Sequence, residues 1–176
     1  MKAFYFLIPI LMVAGCKTQT GTKDSSDTIK LTAMQDKTNC PEEGTCTIVV
    51  HNNKSFKMSE DGTGAMYPDI QEGKGIVIEY TYFREGPKGT ADGNYTENIY
   101  FEIPAGTETL VKENMNLADV KMMYGKHAYR NSNYYPVTNG SLSVLTKGNT
   151  IVLNLNFKIK ETSQEVSHIN ETVAVE

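Results

Sequence analysis

The stretch from Thr150 to Lys160, TIVLNLNFKIK, decides the fold. Ile151, Leu153, Leu155, Phe157 and Ile159 alternate with Asn154, Asn156, Lys158 and Lys160. Successive side chains of a strand point to opposite faces, so this segment has one dry face and one wet face. That pattern is the mark of an antiparallel sheet packed on one side only. Directly upstream, Lys147-Gly148-Asn149 reads as a turn and Ser141 to Thr146 (SLSVLT) as the preceding strand. Further back, Asn139-Gly140 sits between alternating segments, and a type I′ turn needs φ > 0 at both central residues. Tyr134 to Lys160 is therefore expected to form a run of hairpins.

The same signal recurs towards the N-terminus. In Ile76 to Arg84 (IVIEYTYFR), Ile76, Ile78, Tyr80 and Tyr82 share one face. Tyr95 to Ile103 places Ile99, Phe101 and Ile103 together. Thr45 to His51 (TCTIVVH) is rich in β-branched residues. Ile29, Leu31 and Ala33 alternate with polar residues, and Lys54 to Ser59 offers a further strand. Glu60 to Gly75 is glycine-rich and reads as a long loop; Glu85 to Asn94 reads as a turn-rich connection. Thr109 to Lys112 and Val120 to Tyr124 are weaker strands, although the spacing of Leu117, Val120 and Met123 also suits a short helix. After a polar turn, Val166 to Val175 supplies a last strand. About eight to ten short strands without a long helix imply an all-β antiparallel sandwich, with an up-and-down barrel as the alternative. The pattern from Gly140 to Ile159 is similar to the closing meander of small uncharacterised envelope lipoproteins.

The first residues, MKAFYFLIPILMVAGC, have another character. Lys2 precedes an apolar run from Phe4 to Val13, then the small residues Ala14 and Gly15, as in an export signal. The run is too short for a helix across the bilayer core, which takes about 20 residues. Val13-Ala14-Gly15-Cys16 resembles the lipobox of bacterial lipoproteins. That resemblance implies cleavage before Cys16 and a diacylglycerol on its thiol, with residues 1–15 removed. Lys17 to Asp27 contains no apolar residue and reads as a flexible tether, so 16–28 is anchor and tether and 29–176 a single β domain. Lys17 stands where enteric lipoproteins retained at the inner membrane tend to have Asp, which leans the expectation towards the outer membrane. Asp27-Thr28-Ile29 resembles the Asp-Ser/Thr-apolar O-glycosylation motif of Bacteroidetes-type envelope proteins, making Thr28 a candidate acceptor. Asn53, Asn94, Asn139 and Asn170 each open an N-x-S/T match but are read as turn and strand residues.

With Cys16 assigned to lipid, Cys40 and Cys46 remain as a pair. Outside the cytoplasm they are expected to be oxidised, and closing so short a loop contributes roughly 2–2.5 kcal/mol. The net charge of −4 and the absence of a basic block remove the electrostatic footprint of a nucleic-acid binder.

Motifs for chemistry are sparse. His51, His127 and His168 have no metal-ligand spacing, and no G-x-S-x-G elbow occurs. Asp61 and Asp92 lie in glycine-rich turns without an EF-hand pattern. Neither a metal nor a cofactor is expected. Glu79, Glu97 and Glu102 are strand carboxylates, and a glycan or peptidoglycan hydrolase would need two such acids at a fixed separation. The richest segment is Tyr124 to Tyr135 (YGKHAYRNSNYY). There Tyr124, His127, Tyr129, Arg130, Tyr134 and Tyr135 form a candidate surface for a glycan or an envelope protein. The leading expectation is a non-catalytic envelope lipoprotein, membrane-held through Cys16, with a binding or structural role at the outer membrane or cell surface. A barrel carrying a small apolar ligand, and the hydrolase, are the alternatives.

Overall fold

The computed structural model describes residues 28–29, 40–90 and 92–175. Cys16, together with the leader, the tether and the strand beyond Ile29 that the sequence led us to expect, lies outside them. Among the described residues, ten strands and one short 3₁₀ helix make two antiparallel sheets stacked face to face. The strands are β1 (Thr28–Ile29), β2 (Thr45–Glu60), β3 (Met66–Arg84), β4 (Tyr95–Ile103), β5 (Thr109–Glu113), β6 (Met123–Ala128), β7 (Asn131–Pro136), β8 (Gly140–Lys147), β9 (Thr150–Phe157) and β10 (His168–Ala174). The helix, Asn114–Val120, joins β5 to β6. One sheet has the order β1-β2-β3-β4-β6-β7 and the other β10-β9-β8-β5. Neither closes on itself, so the architecture is a sandwich and not a barrel.

β9 behaves as its sequence dictates. Ile151, Leu153, Leu155 and Phe157 are buried, and Leu142 and Val144 of β8 join them. Opposite lie Ile48 and Val50 of β2, Ile78, Tyr80 and Tyr82 of β3, and Ile99, Phe101 and Ile103 of β4. Each fully buried Leu or Ile of this layer contributes about 1.5–3 kcal/mol through removal from water. The chain crosses between the sheets three times: from β4 to β5, through the helix to β6, and from β7 to β8.

Three local expectations are corrected. Asn139-Gly140 does not turn a hairpin, because β7 and β8 belong to different sheets. Gly140 instead lies at φ 149°, where an added Cβ would stand 2.1 Å from the Asn156 carbonyl oxygen. The glycine is there for close approach of β8 to β9. Tyr134 and Tyr135 consequently belong to the six-stranded sheet and not to the meander that ends in β9.

Glu60 to Gly75 is not a long loop. β2 and β3 continue past a bulge at Asn52–Lys54 and pair as far as Glu60 with Met66. Residues 54–72 thus form an arm, and it bends over the outer face of the six-stranded sheet. Phe56, Met58 and Ile70 of the arm pack on Val77, Tyr100, Met123 and Tyr134, a second, smaller core. Glu102 clasps the arm by accepting hydrogen bonds from Ser55 Oγ (2.7 Å) and Lys121 Nζ (2.7 Å). Burial pushes the Glu102 carboxyl upward, but the bonds from Lys121, Ser55 and the Phe56 N–H hold it below the usual range. The apolar side of the arm explains the miss: its glycines signal a turn, while Phe56 and Ile70 need a surface to cover.

The third correction concerns Leu117 to Tyr124. Leu117 and Val120 are buried from the helix and β6 begins at Met123, so both sequence signals are present, one after the other.

Cys40 and Cys46 form a disulfide, with Cα atoms 5.8 Å apart, that staples the chain to the start of β2. At the same end a polar tie joins the sheets. Glu97 of β4 is fully buried and faces inward. Its carboxylate accepts the backbone N–H groups of Glu165 (2.6 Å) and Val166 (2.8 Å), which lie just before β10, and the Tyr95 hydroxyl. Glu97→Ala would orphan the buried Val166 N–H and the partly buried Glu165 N–H at about 1–3 kcal/mol each. We expect it to lower unfolding free energy in urea by about 2–5 kcal/mol, whereas the exposed Glu113→Ala stays within about 0.5 kcal/mol. A loss under about 1 kcal/mol for Glu97→Ala would show that the tie carries no weight.

Candidate functional site

The register of the six-stranded sheet collects one row of residues at one end: Thr45, Phe83, Thr96, His127 and Ser132 are successive partners from β2 to β7. Beyond this row the turn between β6 and β7 and the loop between β3 and β4 stand side by side. Between them is an open hollow of about 480 Å³. From β6, β7 and their turn it is lined by His127, Ala128, Tyr129, Arg130 and Ser132. From β4 and the loop before it come Asp92, Asn94 and Thr96.

Each side chain is placed by a local cause. Asn94 Oδ1 accepts the Gly86 N–H (3.0 Å) and so closes the base of the β3–β4 loop. Gly125 leaves room for the Tyr134 ring to lie across β6; a Cβ there would be 2.5 Å from Tyr134 Cε1. The Tyr134 hydroxyl then meets His127 Nε2 at 3.2 Å, with the two rings edge to face. Burial lowers the His127 pKa from its ordinary 6.5, so the imidazole is neutral at pH 7. Ala128 pairs with Asn131, leaving Tyr129 and Arg130 as a two-residue turn. Tyr129 is 61% exposed. Arg130 adopts φ 56°, a conformation costing roughly 1 kcal/mol more for a side chain than for glycine. Its guanidinium carbon stands 4.8 Å from the centroid of the Tyr129 ring, a cation–π stack.

Of the six residues singled out in the sequence, three meet at the hollow: His127, Tyr129 and Arg130. The others do not. Tyr124 is fully buried in the main core, where its ring packs near Tyr135 and Phe157. Tyr135 is opposite Tyr124 in register and packs against the same core. Tyr134, its neighbour in β7, points to the other side and supports His127 from below. The pleat alone separates these tyrosines, and a contact list by sequence proximity could not. Asp92, Asn94, Thr96 and Ser132 were not grouped with the site in the sequence. Only the pairing of Thr96 with His127 brings them there.

Thr28 pairs with His51 in β1, at the end of the sheet opposite the hollow. The distance along β2 from Thr45 to His51 is roughly 20 Å at about 3.3 Å per residue. Cys16 falls outside the described residues.

Several other polar groups weighed in the sequence are engaged in structure. His51, read as a strand-end residue, is instead buried within β2, with Nε2 3.0 Å from Glu79 Oε2. The Tyr100 hydroxyl donates to Glu79 Oε1 (2.9 Å). Asp61 Oδ1 accepts the Thr63 hydroxyl and the N–H groups of Thr63 and Ala65. These bonds hold its pKa below the ordinary value, with that from the Thr63 side chain contributing most. Asp61 thereby serves the turn at the tip of the arm. Glu79, Glu97 and Glu102 do not line the hollow, where Asp92 is the one carboxylate among the lining residues. Among the described residues no three of His, Cys, Asp and Glu form a metal-ligand group. No helix there is long and apolar enough to cross a membrane.

No family model matches the chain, and no curated protein or solved structure is detectably similar to it.

The depressed His127 pKa has a testable sign. An unfolded chain takes up a proton near pH 6.5, whereas the folded one resists until the pH is lower. Stability from this residue is therefore present above pH 6.5 and is lost as pH falls through the folded value. We expect chemical denaturation to show a larger drop for the wild type than for His127→Gln between about pH 7.5 and about pH 5. Equal drops would contradict the half-buried, neutral imidazole.

Proposed function

We propose that this protein is a non-catalytic, lipid-anchored binding protein of the bacterial cell envelope, and that the hollow beside Tyr129 takes a saccharide component of that envelope. The observation that carries the proposal is the lining. Apart from Ala128, every lining residue brings a polar group, and Tyr129 adds an exposed aromatic ring. An aromatic face covers the C–H face of a sugar ring, while amide, hydroxyl and carboxylate groups match its hydroxyls. A small apolar molecule has no comparable match there.

The position of the hollow supports the same reading. The N-terminal strand joins the sheet at His51 and Val50, and the hollow lies past Thr96 and His127 at the far end. A chain anchored through Cys16 then carries its site away from the membrane that holds it, towards other envelope components. The likeness of Val13-Ala14-Gly15-Cys16 to a lipobox supports a lipid anchor, Lys17 after it leans the reading towards the outer membrane or the cell surface, and the polar stretch that follows would serve as spacer. A carrier of apolar ligands would use the interior of a closed barrel, and these sheets are open and filled between. The hydrolase reading would need two carboxylates facing one cleft, and the hollow has Asp92.

The test uses the whole protein, expressed with its leader. We expect labelled palmitate to be incorporated, and Cys16→Ser to reduce incorporation to background. In pull-down on insoluble cell-wall and capsular polysaccharide, the wild type is retained. Tyr129→Ala lowers retention at least tenfold while unfolding free energy changes by less than about 0.5 kcal/mol, since the ring is exposed. Undiminished retention by Tyr129→Ala would remove the hollow as the site.

A further inference from the structure

We infer that the saccharide taken by the hollow is acidic, a sugar bearing a carboxylate, and that Arg130 is the residue that selects it. The inference rests on the saccharide-binding reading above and adds the ligand's charge.

Three observations carry it. The first is that Arg130 is a cation without an acid. The chain has two arginines, and Arg84 is tied to Glu43 (3.2 Å) and Glu165 (3.5 Å). Lys54, Lys57, Lys112 and Lys121 likewise have carboxylate partners, and the described lysines without one do not line the hollow. Among the described residues no carboxylate lies within ion-pair distance of Arg130, although Asp92 lines the same hollow. The second is that the guanidinium lies against an aromatic ring. Stacked on the Tyr129 ring, it loses less freedom on meeting a ligand, and its planar fork matches a carboxylate through two parallel N–H···O bonds. The third is backbone strain. Position 130 lies at φ 56°, where glycine or asparagine is the ordinary residue of a tight turn. A long charged side chain at such a position disfavours folding, and strain of this kind collects where a side chain is needed for binding.

The rest of the hollow fits the same ligand. Tyr129 offers the ring edge and its free face. Asp92 and Asn94, across from Arg130, accept and donate to ring hydroxyls, and His127, neutral at pH 7, does not repel a cation or compete for the acid. A phosphate or sulfate would also attract Arg130. A phosphate-type site, however, gathers several cations or a nest of N–H groups, and here one guanidinium stands alone beside a carboxylate.

The experiment is titration of the full-length protein, detergent-solubilised, with oligogalacturonate and with a neutral oligogalactose of equal length. At low salt we expect the acidic oligomer to bind at least tenfold more tightly, with the advantage shrinking at high salt. The decisive variant is Arg130→Gly, because glycine suits the backbone conformation of this turn. It should unfold at a higher temperature than the wild type and lose the tenfold preference for the acidic oligomer. Inorganic phosphate and sulfate should not compete at concentrations where free galacturonate does. Equal binding of the two oligomers, or an unchanged preference in Arg130→Gly, would overturn the inference and leave saccharide binding standing. Binding of neither oligomer, with retention on crude envelope polysaccharide intact, would overturn it also. Loss of both kinds of binding would overturn the saccharide reading itself.

Discussion

Neither sheet of this protein has a reason to exist without the other. Each has one face of Ile, Leu, Val and aromatic side chains, and the only dry surface available to it is the matching face opposite. That mutual burial sets everything else. It forces strict alternation along β9, fixes the register of β2 to β4, and sends the chain across three times so that β5 and β8 complete the smaller sheet while β6 and β7 complete the larger one. A one-residue slip in any of these strands would carry its apolar set to the wrong side.

The constraint is weakest where the apolar layer ends, and there the polar devices appear. At one end the buried carboxylate of Glu97 binds the chain before β10, while Lys126 is buried against the Ser163 side chain and carbonyl. On the outer face, the arm from β2 and β3 supplies the cover that the larger sheet lacks, clasped by Glu102 and Lys121. The hollow beside Tyr129 lies past the end of the same sheet, on a turn and a loop. Such positions tolerate a residue like Arg130 in a strained conformation because the strands behind them are rigid.

Much of this was legible in the sequence, for a physical reason. Alternation in β9, β3 and β4 is imposed by a sheet with one buried face, so it is written in every second residue. The Cys40–Cys46 link was legible from spacing and from the export that the first residues led one to expect. What could not be read is which strand pairs with which. Asn139-Gly140 has the chemistry of a hairpin turn, and the competing demand that β8 lie against β9 decided otherwise. The glycines between Glu60 and Gly75 advertised a loop, and only a surface to receive Phe56 and Ile70 makes them an arm. Three of the eight residues lining the candidate site, His127, Tyr129 and Arg130, were visible. Asp92, Asn94 and Thr96 come from a different strand and loop, and nothing local to them points to the β6–β7 turn. Tyr124 and Tyr135 misled because strand pleating, not composition, chooses which tyrosine meets solvent.

The central claim is that binding is confined to the end of the sandwich where these two turns meet. Amide chemical shifts of the labelled protein, followed during titration with an acidic oligosaccharide, test it most directly. The account predicts shifts concentrated at residues 92–96 and 127–132, with β9, β10 and the arm unmoved. Shifts centred on the arm, on the outer face of the smaller sheet or on the chain near Thr28, with the hollow silent, would contradict it.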